Sequence, residues 1–237
     1  MQFFSCEALD FLQNLRENNT KEWFLAHRDQ YERLILEPSK EFVTEMGAEL
    51  QVLVPNIRAI PKINHSLFRI YRDIRLSKDK TPMKSRIGIV FWRGSGKRLQ
   101  SSSFYIHFSP DELLVASGIR GFSKDSLEGY RNYIKDENHA RSLQAIMHML
   151  KGKGFAFPEP RYKRYPRGFE KDDPFAYLSL YAAMFAFKRL DPKTICSDRL
   201  NEILFEIYQD LLPLFEWIYE MSLTFEITDP KGKSLSL

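Results

Sequence analysis

Ser66-Leu67-Phe68-Arg69-Ile70-Tyr71-Arg72-Asp73-Ile74-Arg75-Leu76 alternates with a period of two. Phe68, Ile70, Arg72, Ile74 and Leu76 fall on one side, and Leu67, Arg69, Tyr71, Asp73 and Arg75 on the other, because successive side chains of a strand point to opposite faces. The spacing predicts a strand with one apolar and one polar face, Arg72 being the cation on the apolar side. A polar turn from Ser77 to Pro82 leads to a second predicted strand, Ser85 to Arg93, closed by the tight connection Gly94-Ser95-Gly96. Predicted strands Ser103 to Phe108 and Leu113 to Gly118 follow, joined through Ser109-Pro110-Asp111. Joints this short require antiparallel neighbours, since a parallel pair needs a crossover of a dozen or more residues.

Helical periodicity flanks this meander. Toward the N-terminus, Ala8, Leu9, Leu12 and Leu15 recur at helical spacing behind Ser5 as cap. A second helix is predicted from a capping box of Asn19 with Glu22, and Pro38 opens a further run through Leu53. Toward the C-terminus, Ser123 and Asn138 are predicted to open two helices. Residues 152–174, rich in Gly, Pro, Arg and Tyr, read as a long ordered loop, and a short helical segment follows Asp173-Pro174. Leu200, Ile203, Leu204, Ile207, Tyr208, Leu211, Leu212 and Phe215 define a long last helix from about Ser197, interrupted by Pro213. The expectation is one α+β domain over 1–237: a helical part at 1–56, an antiparallel sheet of about four or more strands at 63–120, and a mainly helical part at 121–237.

Composition bounds the function. With 43% hydrophobic and 28% charged residues over 237 positions, the chain can bury a sizeable core. Cys6 and Cys196 are expected as reduced, packed thiols. No basic leader precedes the first apolar residues, and the longest apolar stretches fall short of a membrane span, so a soluble, cytoplasmic protein is expected. The net charge is only +4, but 58–98 carries 12 Lys and Arg against two acids, leaving 23 basic and 29 acidic residues elsewhere. A positive patch on a mildly acidic body points to anionic partners.

The run from Ser66 through Lys84, with Ser77-Lys78-Asp79-Lys80-Thr81-Pro82-Met83-Lys84 at its end, resembles the signature of a large bacterial and fungal family known only as a domain of unknown function. Phe3-Phe4 with Leu9 to Leu12, Asn18-Asn19 with Glu22-Trp23-Phe24, Phe104-Tyr105-Ile106-His107, Pro166-Arg167-Gly168-Phe169 and Asp173-Pro174 agree with it in order. The sequence departs from the family pattern at Met83, where an aromatic is usual, at Leu76, where Phe is common, and at Asp173, where a His often precedes the proline. The resemblance implies the fold and leaves the mechanism open.

Chemistry concentrates in the same segment. Arg69, Tyr71, Arg72, Asp73 and Arg75, with Lys78, Lys80 and Lys84 in the following turn, are the candidate ligand-binding residues: guanidinium forks suit phosphate or carboxylate, and the lysines would form a rim. Asp73 and His107 are the candidate acid–base residues, with Tyr105 and His107 expected on the polar face beside Arg69 and Asp73. The competing structural reading pairs Asp73 with an arginine and gives Arg72 an unidentified partner. Gly94-Ser95-Gly96-Lys97 is no phosphate loop, because Phe91 stands at the required first glycine and Arg98 replaces the hydroxyl residue. The five histidines and two cysteines show no ligand spacing, so neither metal nor cofactor is expected. Three readings remain open: an anion-binding protein with or without catalysis, a nucleic-acid-binding module that adds Arg161-Tyr162-Lys163-Arg164-Tyr165-Pro166-Arg167, and an interaction protein without a small ligand.

Overall fold

The computed structural model describes residues 2–75, 78–94 and 97–225. Leu76 and Ser77 of the first predicted strand and turn, and Ser95-Gly96 of the tight connection, lie outside them. Helices α1 (Glu7–Glu17), α2 (Lys21–Ala26) and α3 (Arg28–Tyr31) lead through a π-helical turn, Glu32–Leu36, into α4 (Glu37–Leu50). Four strands, β1 (Ile87–Trp92), β2 (Ser103–Phe108), β3 (Leu113–Ile119) and β4 (Met184–Leu190), form an antiparallel sheet in that order. Between β3 and β4 stand α5 (Lys124–Tyr133), α6 (Glu137–Gly152) and a 3₁₀ turn, Ala176–Leu180. After β4 come a second 3₁₀ turn, Pro192–Cys196, and α7 (Leu200–Ser222), which runs through Pro213. The chain is α+β, as its periodicities predict.

Contacts gather into two compact units, and every strand contributes residues to both. In the first unit (1–91, 105–115 and 189–207), Phe4 stands 4.9 Å from Phe108 and 6.0 Å from Phe42, which lies 6.2 Å from Phe91. These four rings are fully buried. Gly47 is required here, because a Cβ on it would lie 2.2 Å from that of Ala59. In the second unit (92–104, 116–188 and 208–237), Phe104 stacks 4.4 Å from Phe215, and Trp217 stands 5.2 Å from Tyr133 while its indole N–H donates to the His139 carbonyl.

Several local expectations are corrected. Residues 66–75 form no regular strand. From Phe68 to Arg75 their burial alternates as predicted, Ile70 being buried between exposed Arg69 and Tyr71, while Leu67, expected on the polar side, is buried. Their pairing consists of isolated bridges, Leu67 with Ile63 in parallel and, as the two antiparallel ones, Leu67 with Ile89 and Tyr71 with Met83. Four residues separate the bridges on one side (67 to 71) and six on the other (83 to 89), so the ladder cannot stay in register. Pro82 adds a position without an N–H. The fourth strand is β4, from a region whose Ala-rich run reads as helical.

Thr20, not Asn19, caps α2 by accepting from the Trp23 amide, since Asn19 is drawn to Met83. Cys6 precedes α1 where Ser5 was expected, and Asp136 opens α6 in place of Asn138. Ser123 caps α5 as expected. Cys6 and Cys196, expected as separate thiols, form a disulfide across 190 residues, because the fold brings their Cα atoms to 5.3 Å. Among the described residues no helix is long and apolar enough to cross a membrane.

Candidate anion-binding ribbon

Residues 66–75 and 78–84 form an irregular ribbon held by side chains that reach main-chain groups, all within the first unit. Main-chain bonds at Tyr71·Met83, from the Arg72 amide to the Pro82 carbonyl and from the Lys84 amide to the Ile70 carbonyl (2.8 Å each), form its waist. Asn19 clamps that waist from outside: its amide nitrogen donates to the Met83 carbonyl at 3.0 Å, and its oxygen accepts from the Met83 amide at 2.9 Å.

Arg72 is not sealed among apolar residues, as the alternation predicts. Its side chain is 32% exposed and has two partners, the Met83 carbonyl at 3.1 Å through Nε and Asp79 through Nη1. Asp79 in turn accepts from the Thr81 amide and hydroxyl, and those two bonds, ahead of Arg72, hold its carboxyl below the usual range. Lys80 and Lys84 are not a free rim: Nζ of Lys80 donates to the Ile74 carbonyl at 2.8 Å and Nζ of Lys84 to the Arg69 carbonyl at 2.9 Å. Both cations are tied into the ribbon because its unpaired carbonyls need donors. Lys78 is exposed.

The outward side carries Arg69, Tyr71, Asp73 and Arg75, all exposed. Asp73 is gripped in the fork geometry, from Arg75 Nε to Oδ1 at 2.9 Å and from Arg75 Nη2 to Oδ2 at 2.6 Å. Nη2 of Arg69 stands 3.9 Å from the same Oδ2. Hydrogen bonds from the Arg75 side chain and amide hold the Asp73 carboxyl well below the usual carboxylate range. Tyr71 meets Phe24 edge to face at 5.6 Å. Behind it, Tyr31 is buried, and burial first, then Tyr71 and Glu32, push its hydroxyl up to about 12.

Tyr105 and His107, predicted on one face with Arg69 and Asp73, engage Phe68 and Glu112 respectively. Tyr105 meets Phe68, at 5.9 Å, from the opposite side of the alternation. The Tyr105 hydroxyl covers Gly88, where a Cβ would lie 2.8 Å from it. The buried His107 imidazole donates from Nε2 to Glu112 Oε1 at 3.0 Å, while Arg189 Nε donates to Glu112 Oε2 at 2.7 Å. Burial pushes the Glu112 carboxyl up, but the bonds from His107 and Arg189 outweigh it and hold the group below its ordinary value. This trio was illegible in sequence, because Arg189 lies 77 residues from Glu112 on a strand the periodicity did not reveal. Among the described residues no group of three His, Cys, Asp or Glu side chains could hold a metal ion.

Fold and ribbon together define an α+β protein with a braced, arginine-bearing surface loop. Residues 7–217 match the conserved hypothetical protein family DUF2461, and the chain belongs to that family. No curated protein matches the chain.

Proposed function

We propose that the protein binds a phosphate- or carboxylate-bearing ligand on the outward side of the ribbon, through Arg69, Arg75 and the Tyr71 hydroxyl, with Lys78 nearby in sequence. The observation that supports this reading is the approach of two guanidinium groups to one pair of carboxylate oxygens at the surface. Arg75 is 84% exposed, so its pairing with Asp73 is screened by water and readily exchanged. A phosphate offers more oxygens and more charge to the same two forks than Asp73 does. The bracing by Asn19, Arg72, Lys80 and Lys84 fixes the main chain under those arginines and lowers the entropy lost on binding.

The reading is one of binding, not catalysis. An Asp73 held ionised is a weak base, and His107 is engaged with Glu112. Calorimetric titration with phenyl phosphate tests it: saturable binding to the wild type, and its loss in Arg69→Ala and Arg75→Ala proteins of unchanged melting temperature, are expected. Equal binding to both variants would overturn it. A cytoplasmic location belongs to the same reading.

A nucleic-acid reading draws on the second unit, where 161–165 and Arg167 are all exposed and the Tyr162 ring lies 4.8 Å from the Arg131 guanidinium. It requires affinity falling with salt at a log–log slope of about −0.7 to −0.9 per phosphate neutralised. Binding of phenyl phosphate without oligonucleotide retention decides for the anion site.

A further inference from the structure

The second unit carries an open depression of about 320 Å³, lined by residues of neither the arginine ribbon nor the basic run 161–167. Ile134, Pro174 and Phe175 give it an apolar floor, and Lys135, Glu137 and Asp173, all exposed, give its rim charges of both signs. Those charges turn to other partners. Lys135 donates to Asn132 Oδ1 at 3.1 Å, Glu137 pairs with Arg141, and Asp173 Oδ1 accepts from the Phe175 amide at 2.8 Å.

An ammonium has three donors and a carboxylate two oxygens, so Lys135 and Asp173 each retain bonding capacity. The first amides of α6 do not supply the anion-binding end, because Asp136 already accepts from the Asn138 and His139 amides at 2.8 and 3.3 Å. Lys135 is therefore the rim's donor for a carboxylate, and Asp173 with Glu137 the acceptors for an ammonium.

We propose that this depression is a site for a small zwitterion of the α-amino acid class with an apolar side chain. The ligand carboxylate meets Lys135, its ammonium meets Asp173 and Glu137, and its side chain lies on Ile134, Pro174 and Phe175. The volume is at the lower end of small-molecule sites, which suits a free amino acid and not a cofactor. Ligands of one charge satisfy only one side of the rim.

The full chain, labelled with ¹⁵N, is titrated with L-leucine, L-leucinamide and N-acetyl-L-leucine. L-leucine should give saturable shifts at the Lys135 and Phe175 amides with a Kd of about 1 mM or tighter. Each capped analogue should bind at least about threefold more weakly. Lys135→Ala should remove the preference for leucine over leucinamide. Asp173→Asn, which keeps the acceptor for the Phe175 amide, and Glu137→Gln should reduce the preference over N-acetyl-leucine. Absence of saturable shifts with leucine, or equal affinity for all three compounds, would overturn the proposal. The three rim side chains are exposed, so unchanged melting temperatures establish that the variants fold.

Discussion

Replacing Asn19 with alanine removes both bonds of the clamp at the waist of the ribbon. The Met83 carbonyl keeps Arg72 Nε as a partner at 3.1 Å, but the Met83 amide loses the acceptor it has at 2.9 Å. Met83 is fully buried, so water does not replace that acceptor. A net hydrogen bond contributes about 0.5–1.5 kcal/mol, and an orphaned buried donor costs about 1–3 kcal/mol. Asn19→Ala should therefore destabilise the protein by about 2–3 kcal/mol, or about 5–10 °C in melting temperature for a chain of this length. Urea denaturation followed by circular dichroism measures this, and an unchanged m-value assigns the loss to the native state. Asn19→Asp keeps the acceptor for the Met83 amide while losing the donor, and should fall between the two. A loss under about 0.5 kcal/mol for Asn19→Ala, within the range of ordinary surface substitutions, would refute the clamp as the ribbon's brace.

Gly118→Ala should destabilise by about 3–5 kcal/mol, since its φ of +126° disfavours a side chain and a Cβ would lie 2.2 Å from the Met184 carbonyl oxygen. A melting temperature equal to wild type would contradict that packing. Purified under oxidising conditions, the protein should show no free thiol until it is reduced, and reduction of Cys6–Cys196 should lower stability by about 2–5 kcal/mol. Two titratable thiols in the unreduced protein would contradict the pairing. Because the folded Glu112 carboxyl titrates below its ordinary value of 4.5, its contribution is present above that pH and lost as pH falls through the folded value. The acid limb of the stability–pH curve should accordingly flatten in Glu112→Gln, and an unchanged limb would show that the bonds to His107 and Arg189 do not stabilise the fold.

How far the fold could be read depended on whether one short stretch carried its own signal. The predicted bounds of β2 coincide with the observed Ser103–Phe108, because Phe104, Ile106 and Phe108 alternate with Ser103, Tyr105 and His107 and polar joints stand on both sides. β4 has no comparable pattern: Met-Phe-Ala-Phe-Lys-Arg-Leu follows Tyr-Ala-Ala, and its buried Met184 and Ala186 suit a helix as well as a strand. The ribbon's alternation predicted that Arg69, Tyr71, Asp73 and Arg75 turn outward, but neither the burial of Leu67 nor the two extra residues between Met83 and Ile89 that break the ladder. Arg72 was recognisable as a cation needing a partner, and Asp79 lies only seven residues away. The roles of Lys80 and Lys84 were not recognisable, because their carbonyl partners exist only once the ribbon bends. Asn19 looked like a cap for the same reason: its actual partner, Met83, is 64 residues distant.

The most direct test of the anion site is the side-chain Nε–H resonances of Arg69 and Arg75, followed by NMR during titration with phenyl phosphate. Saturable shifts are expected at both signals with one common affinity, together with a change at the Asp73 carboxyl carbon as its hold on Arg75 is exchanged. Shifts spread evenly over the basic residues without saturation, or no change at Arg69 and Arg75, would contradict it.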